Sequence, residues 1–93
     1  MPTIRLTGHL KCTTRQQAEI VAEHLPLHEQ LSRDEPGCLE FFVRPTGDPL
    51  IWWVSELFVD QASFDAHQQR VRASRWGSAT EGIERNYTIE AVD

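Results

Sequence analysis

The chain has 93 residues, 40% of them apolar and 25% charged, and a formal net charge of −5. That length suits one domain, residues 1–93, with a single thin core. An acidic balance with scattered basic residues argues against a nucleic-acid surface, no apolar run approaches the roughly 20 residues of a membrane span, and MPTIRLTGHLK lacks a signal-peptide core, so the cytoplasm is the expected compartment.

Residues 3–12, TIRLTGHLKC, alternate Ile4, Leu6, Gly8, Leu10 and Cys12 against Thr3, Arg5, Thr7, His9 and Lys11, the period of a half-buried strand. Thr13 or Thr14 offers an N-cap to the helix that follows, which carries Ala18, Val21, Ala22 and Leu25 on one face. Pro26 has no N–H to bond Ala22, which predicts a kink or break, with Leu27 and Leu31 continuing the apolar face beyond it. Asp34-Glu35-Pro36-Gly37 stops the helix and turns the chain. CLEFFVR, 38–44, reads as a strand with Leu39, Phe41 and Val43 on one face, and PTGDP, 45–49, is long enough only for a hairpin connection.

The returning strand is LIWWVSELFV, 50–59. Asp60 then caps a second helix, QASFDAHQQRVRAS, with Phe64, His67, Gln68 and Val71 along one face. A shorter helical piece around Trp76, Ala79, Thr80 and Ile83 is interrupted at Gly77 and Gly82, and RNYTIEAV, 85–92, is the last strand. The order β-α-β-β-α-β predicts an α+β, ferredoxin-like fold, with both helices on one face of a four-stranded antiparallel sheet. Cys12 and Cys38 form neither a metal motif nor a disulfide framework, and both read as small buried hydrophobes.

The third strand poses a question of cover. One of its faces carries Ile51, Trp53, Ser55, Leu57 and Val59, the other Leu50, Trp52, Val54, Glu56 and Phe58. Both are mostly apolar, the strand is central in the order 4-1-3-2, and the helices cover one face only. Each large apolar side chain left in water forgoes roughly 1.5–3 kcal/mol. A second copy, packed sheet against sheet in an isologous dimer, is the expected cover.

Four stretches, EPGCLEFFV (35–43), IWWVSELFVD (51–60), SFDAHQQR (63–70) and RWGSATEGIERNYTI (75–89), resemble in order and spacing the antibiotic biosynthesis monooxygenase (ABM) family of the dimeric α+β barrel group. The resemblance covers most of residues 35–89, while the first strand and helix match in pattern only. It implies the ferredoxin-like fold, the sheet-to-sheet homodimer, and a pocket in each subunit between sheet and helices. Characterised members of that family include oxygenases that turn phenols, anthrones or quinols into quinones without metal or flavin. Others cleave haem, process small signalling molecules or rearrange substrates. The asparagine, tryptophan and axial histidine of the haem-cleaving members are not placed here, since Arg72 rather than a histidine stands five residues after His67.

His67 shares its helix face with Phe64 and Val71, which must meet the sheet, so its imidazole is expected at or near the core. It is either tethered there structurally or set in the pocket wall as a base for a substrate hydroxyl, for which an ordinary pKa near 6.5 is suited. Glu56, among aromatics, needs a partner such as His67, Arg44 or a cross-strand group. Trp52 and Trp53 cannot share a face, so one is expected at the pocket side and the other at the dimer interface. Trp53 and Trp76 are the expected aromatic clamp, with Phe64 and Glu56 beside them. His24 and His28 have the i, i+4 spacing of a helical metal pair, but Pro26 lies between them and no third ligand is near. Both read as solvated, and no metal is expected. His9, on the polar face of the first strand, could approach the pocket. The expected activity is a cofactor-independent monooxygenase that uses O2 to oxidise a phenolic, anthrone or quinol-type aromatic to a quinone. An isomerase-type proton-transfer enzyme and a non-catalytic ligand-binding dimer are the alternatives.

Overall fold

A computed structural model describes residues 2–93. Strand β1 (Thr3–Lys11) leads into helix α1 (Arg15–Arg33), the hairpin β2 (Cys38–Pro45) and β3 (Ile51–Phe58), helices α2 (Gln61–Arg72) and α3 (Arg75–Ala79), and strand β4 (Glu84–Val92). The sheet order is β2-β3-β1-β4, every neighbouring pair antiparallel. This is the ferredoxin-like α+β arrangement, with β3 and β1 in the centre. No helix among the described residues is long and apolar enough to cross a membrane.

The caps fall where the side chains can make them. Thr14 accepts from the Gln17 N–H at 3.1 Å while the Gln17 side chain accepts from the Thr13 N–H at 2.7 Å, a reciprocal cap that fixes the start of α1. Asp60 accepts from the Ser63 N–H at 2.8 Å and starts α2 immediately after β3. Ser74 does the same for α3 through the Gly77 N–H.

Helix α1 does not break at Pro26; it runs unbroken through it. The missing N–H removes one backbone bond, and Pro26 sits on the exposed side of the helix. The 3.6-residue phase set by Val21 therefore carries on through the proline. It brings His28 and Ser32 to the sheet and leaves Leu27 and Leu31 at 54% and 41% exposure. The expectation that Leu27 and Leu31 continue the apolar face is corrected by this unbroken phase. A bulge between Cys38 and Glu40 likewise takes Leu39 out of the inward row of β2, while Phe41 and Val43 remain in it.

The core lies between the helices and one face of the sheet, built from Leu6, Leu10, Val21, Phe41, Val54 and Phe58. Gly8 faces that same side between Val54 and Tyr87. Its φ is +152°, and a Cβ there would come within 2.0 Å of the Asn86 carbonyl oxygen, so only glycine lets β4 lie this close.

Candidate active site

A cavity of about 560 Å³ lies between the helix-side face of the sheet and the three helices. Leu6, Phe41, Val43 and Val54 give it an apolar floor. His28 reaches it from α1, His67, Gln68 and Arg72 from α2, Trp76 from α3, Glu56 from β3, and Tyr87 and Arg85 from β4. Its size is in the range of small-molecule sites, about 300–1,000 Å³.

His67 is 2% exposed. Its Nδ1 lies 3.0 Å from both carboxylate oxygens of Glu35. A carboxylate can only accept, so Nδ1 carries the hydrogen and Nε2 holds the lone pair. Glu35 is itself fixed by Arg70, whose Nε donates to Oε1 at 2.6 Å and whose Nη2 donates to Ser32 Oγ at 3.0 Å. Burial pulls the His67 pKa below its usual value, against the opposing pull of the Glu35 bond and charge. The imidazole is therefore neutral at pH 7, with its free lone pair on the side away from Glu35.

Nε2 stands 3.5 Å from Glu56 Oε1. Burial, then the negative charge of Glu35, pushes the Glu56 carboxyl up to about 8. Neither group is charged at neutral pH, so the contact is a carboxylic acid beside an imidazole lone pair and not an ion pair. Glu56 Oε1 has no hydrogen-bond partner among the described residues. Of the partners expected for Glu56, His67 alone lies beside it, at 3.5 Å and without a hydrogen bond; Arg44 instead bonds Glu29 at 2.9 Å, and the cross-strand neighbours are the apolar Leu6 and Phe41. Tyr87 is also held by burial, which pushes its hydroxyl up to about 12 in spite of the Arg85 charge beside it.

A model of the antibiotic biosynthesis monooxygenase family matches residues 3–77. The chain belongs to that family. No curated protein matches it. Among solved structures, a conserved Bacteroides thetaiotaomicron protein of unknown function, described as a possible oxidoreductase, superposes with a TM-score of 0.82 at 14% identity, covering 97% of each chain. A Nitrosomonas europaea protein provisionally named an antibiotic biosynthesis monooxygenase gives 0.79 at 17% identity over 95% of each chain. MupZ from Pseudomonas fluorescens gives 0.80 at 16% identity over 98% of this chain and 70% of its own. At these identities the likeness is one of fold.

On this ABM fold the structure brings three of the five residues singled out from the sequence into one cavity: His67, Glu56 and Trp76. It does not bring the other two. Trp53 lies on the opposite face of the sheet, 39% exposed, with the His9 ring edge-on at 5.3 Å. Strand alternation explains this, because Glu56 and Val54 face the helices and Trp53 must then face away. The expected Trp53–Trp76 clamp is corrected accordingly, and His9 is not at the cavity. Phe64 is 5% exposed and packs against Phe58 at 5.6 Å, in the core beside the site and not in its wall.

Two further residues of the site stand outside that set. Glu35 sits in a turn that reads only as a helix stop, and its role comes from a fold that returns α2 beside it. His28, read as solvated, is 5% exposed and stacks on Trp76 with ring centres 4.3 Å apart and planes 1° from parallel. Burial, followed by the positive charges around it, takes its pKa down to about 3. The apolar phase from Val21 through Leu25 would have placed His28 inward, had the helix been carried through Pro26. His24 remains part-exposed beside Glu23, 3.9 Å away.

Proposed function

We propose that the chain is a cofactor-independent monooxygenase that oxidises a phenolic, anthrone or quinol-type aromatic to a quinone with O2. The observation that carries this reading is the bond from His67 Nδ1–H to Glu35, which leaves the Nε2 lone pair of a buried neutral imidazole beside a cavity with an apolar floor. Nε2 takes the proton of the aromatic hydroxyl, or of an anthrone in its enol form. The resulting anion passes one electron to O2, giving a carbon-centred radical and superoxide. These combine in a new C–O bond, and a proton completes the hydroperoxide. Loss of the hydrogen left on that carbon, with cleavage of the O–O bond, gives the carbonyl and water. One oxygen atom ends in the quinone and one in water, and the substrate's own C–H and O–H bonds supply the electrons.

The protein contributes an apolar floor, a base, and in Glu56 a proton donor beside that base. Trp76 offers a flat wall for an aromatic ring. The unit in this reading is a homodimer in which a second sheet covers Trp53, Leu57 and Phe42 on the face without helices.

Oxygen uptake over a panel of anthrones, naphthols and hydroquinones, with His67→Ala alongside, tests the reading. Uptake above the spontaneous rate that disappears in the variant is expected. Uptake unchanged in His67→Ala would remove the histidine from the chemistry, and no uptake over the panel would overturn the oxygenase. A proton-transfer isomerase is the second reading, favoured by the same acid beside the same base at 3.5 Å. Solvent deuterium entering a bound substrate analogue without oxygen uptake would identify it.

A further inference from the structure

We propose that His28 is a second hydrogen-bonding group for the ligand, so that the site selects aromatics with two oxygen functions, one met at His67 and the other at His28. Neither the resemblance to the family nor the helical spacing assigns this residue a role. The geometry does. The imidazole is clamped between the Trp76 face at 4.3 Å and the Phe41 edge at 5.2 Å, so it cannot swing its nitrogens out to solvent. Nδ1 is sealed off without a hydrogen-bond partner among the described residues, so Nε2, which bonds none of them either, is the ring nitrogen left for a ligand, and the ring lines the same cavity as His67. A polar ring held in an apolar clamp without protein partners is costly unless something else bonds it.

The two imidazole centres are 6.3 Å apart. A planar ligand against this wall can therefore place one oxygen at each histidine, with the two oxygens on one ring or on adjacent fused rings. Being neutral, His28 can carry its hydrogen on either nitrogen, so Nε2 can meet either a hydroxyl or a carbonyl oxygen. The partner class is then a dihydroxylated aromatic or its keto form, and a monohydric phenol satisfies only half of the site. This selection rests on the oxygenase reading for the reaction at the first oxygen, but not for binding.

The test compares naphthol with a set of dihydroxynaphthalene isomers by anaerobic titration calorimetry, on the unmodified protein and on His28→Phe. Phenylalanine keeps an aromatic ring between Trp76 and Phe41 and removes both nitrogens. If His28→Phe does not fold, His28→Leu serves the same purpose. At least one dihydroxy isomer should bind about 10-fold more tightly than naphthol, the equivalent of one well-made hydrogen bond. That advantage should fall below about twofold in the variant, each dihydroxy isomer being compared with naphthol on the same variant. A preference that survives His28→Phe would overturn the inference. Naphthol binding with no preference in the unmodified protein would overturn it alone and leave the oxygenase standing. No binding of any aromatic would overturn both.

Discussion

Glu35, in the turn after the first helix, and His67, on the second, are 32 residues apart in the chain and meet at 3.0 Å. Arg70 closes the arrangement at 2.6 Å, so the carboxylate is fixed from one side and the imidazole from the other. The consequence is directional. With Nδ1 bound to Glu35, the lone pair can be only on Nε2.

Replacing Glu35 with glutamine should therefore cost orientation more than binding. An amide can offer His67 either its oxygen or its N–H, so the tautomer is no longer enforced. Turnover is expected to fall roughly 10- to 100-fold, the scale seen when the partner orienting a functional histidine is lost, with little change in KM. The ring nitrogen shifts of His67 by NMR should move from a single Nδ1–H form to a mixture. A purely structural Glu35 would leave those shifts in place in the folded variant.

Stability should depend on pH through two opposed groups. The folded-state pKa of His28 is lowered to about 3, so as pH falls below 6.5 the unfolded chain takes a proton that the folded chain refuses, and stability is lost. Glu56 is raised to about 8, so its contribution is greatest below about 4.5 and is lost as pH rises through 8. Between about pH 4.5 and 6.5 these slopes oppose each other, each approaching roughly 1.4 kcal/mol per pH unit. His67, also lowered, adds to the histidine side. Melting curves from pH 4.5 to 8 should thus show Glu56→Gln losing stability in acid more steeply than the unmodified protein, and His28→Phe losing it less steeply. Parallel curves for all three would show that these groups titrate alike in the folded and unfolded chains.

Much of this fold is legible in the chain, because period two and period 3.6 are strong signals where one face is buried. Alternation in Ile4, Leu6 and Leu10, the caps at Thr14 and Asp60, and the turn after Arg33 place every element in order. His67 and Glu56 are legible for the same reason, since each is a polar residue on an otherwise apolar face. Glu35 is not legible, because a turn residue acquires its partner from the tertiary path. His28 was hidden by Pro26: local propensity predicts a break where packing of Val21, His28 and Ser32 against the sheet holds the helix together. Trp53 was assigned to the wrong side because strand periodicity separates two faces without saying which one meets the helices.

Trp76 should act on binding and not on chemistry. It is 7% exposed, lies parallel to His28 at 4.3 Å, and lines the cavity. Trp76→Leu removes the flat surface that an aromatic ring can stack on, a loss of about 0.5–1.5 kcal/mol beyond area. KM for a fused-ring substrate should rise about 3- to 10-fold with kcat changed less. Equal loss in kcat with KM unchanged would instead mean that Trp76 stabilises the reacting state.

The face away from the helices makes the last prediction. Trp53 and Phe42 are each 39% exposed there, and Phe42 lies opposite Ser55, between Trp53 and the part-buried Leu57 of the central strand. Burying such side chains fully gains roughly 1.5–3 kcal/mol apiece, and β4 adds an almost wholly exposed strand at the edge of the same sheet. Sedimentation at micromolar concentration should therefore give twice the 10.7 kDa chain mass. Trp53→Glu should return the monomer, because a carboxylate set into a sheet-to-sheet contact there would be desolvated without a partner. Its helix-side core is untouched, so the far-UV spectrum should be unchanged. A monomeric unmodified protein would mean that this apolar face is left in water or waits for a different partner.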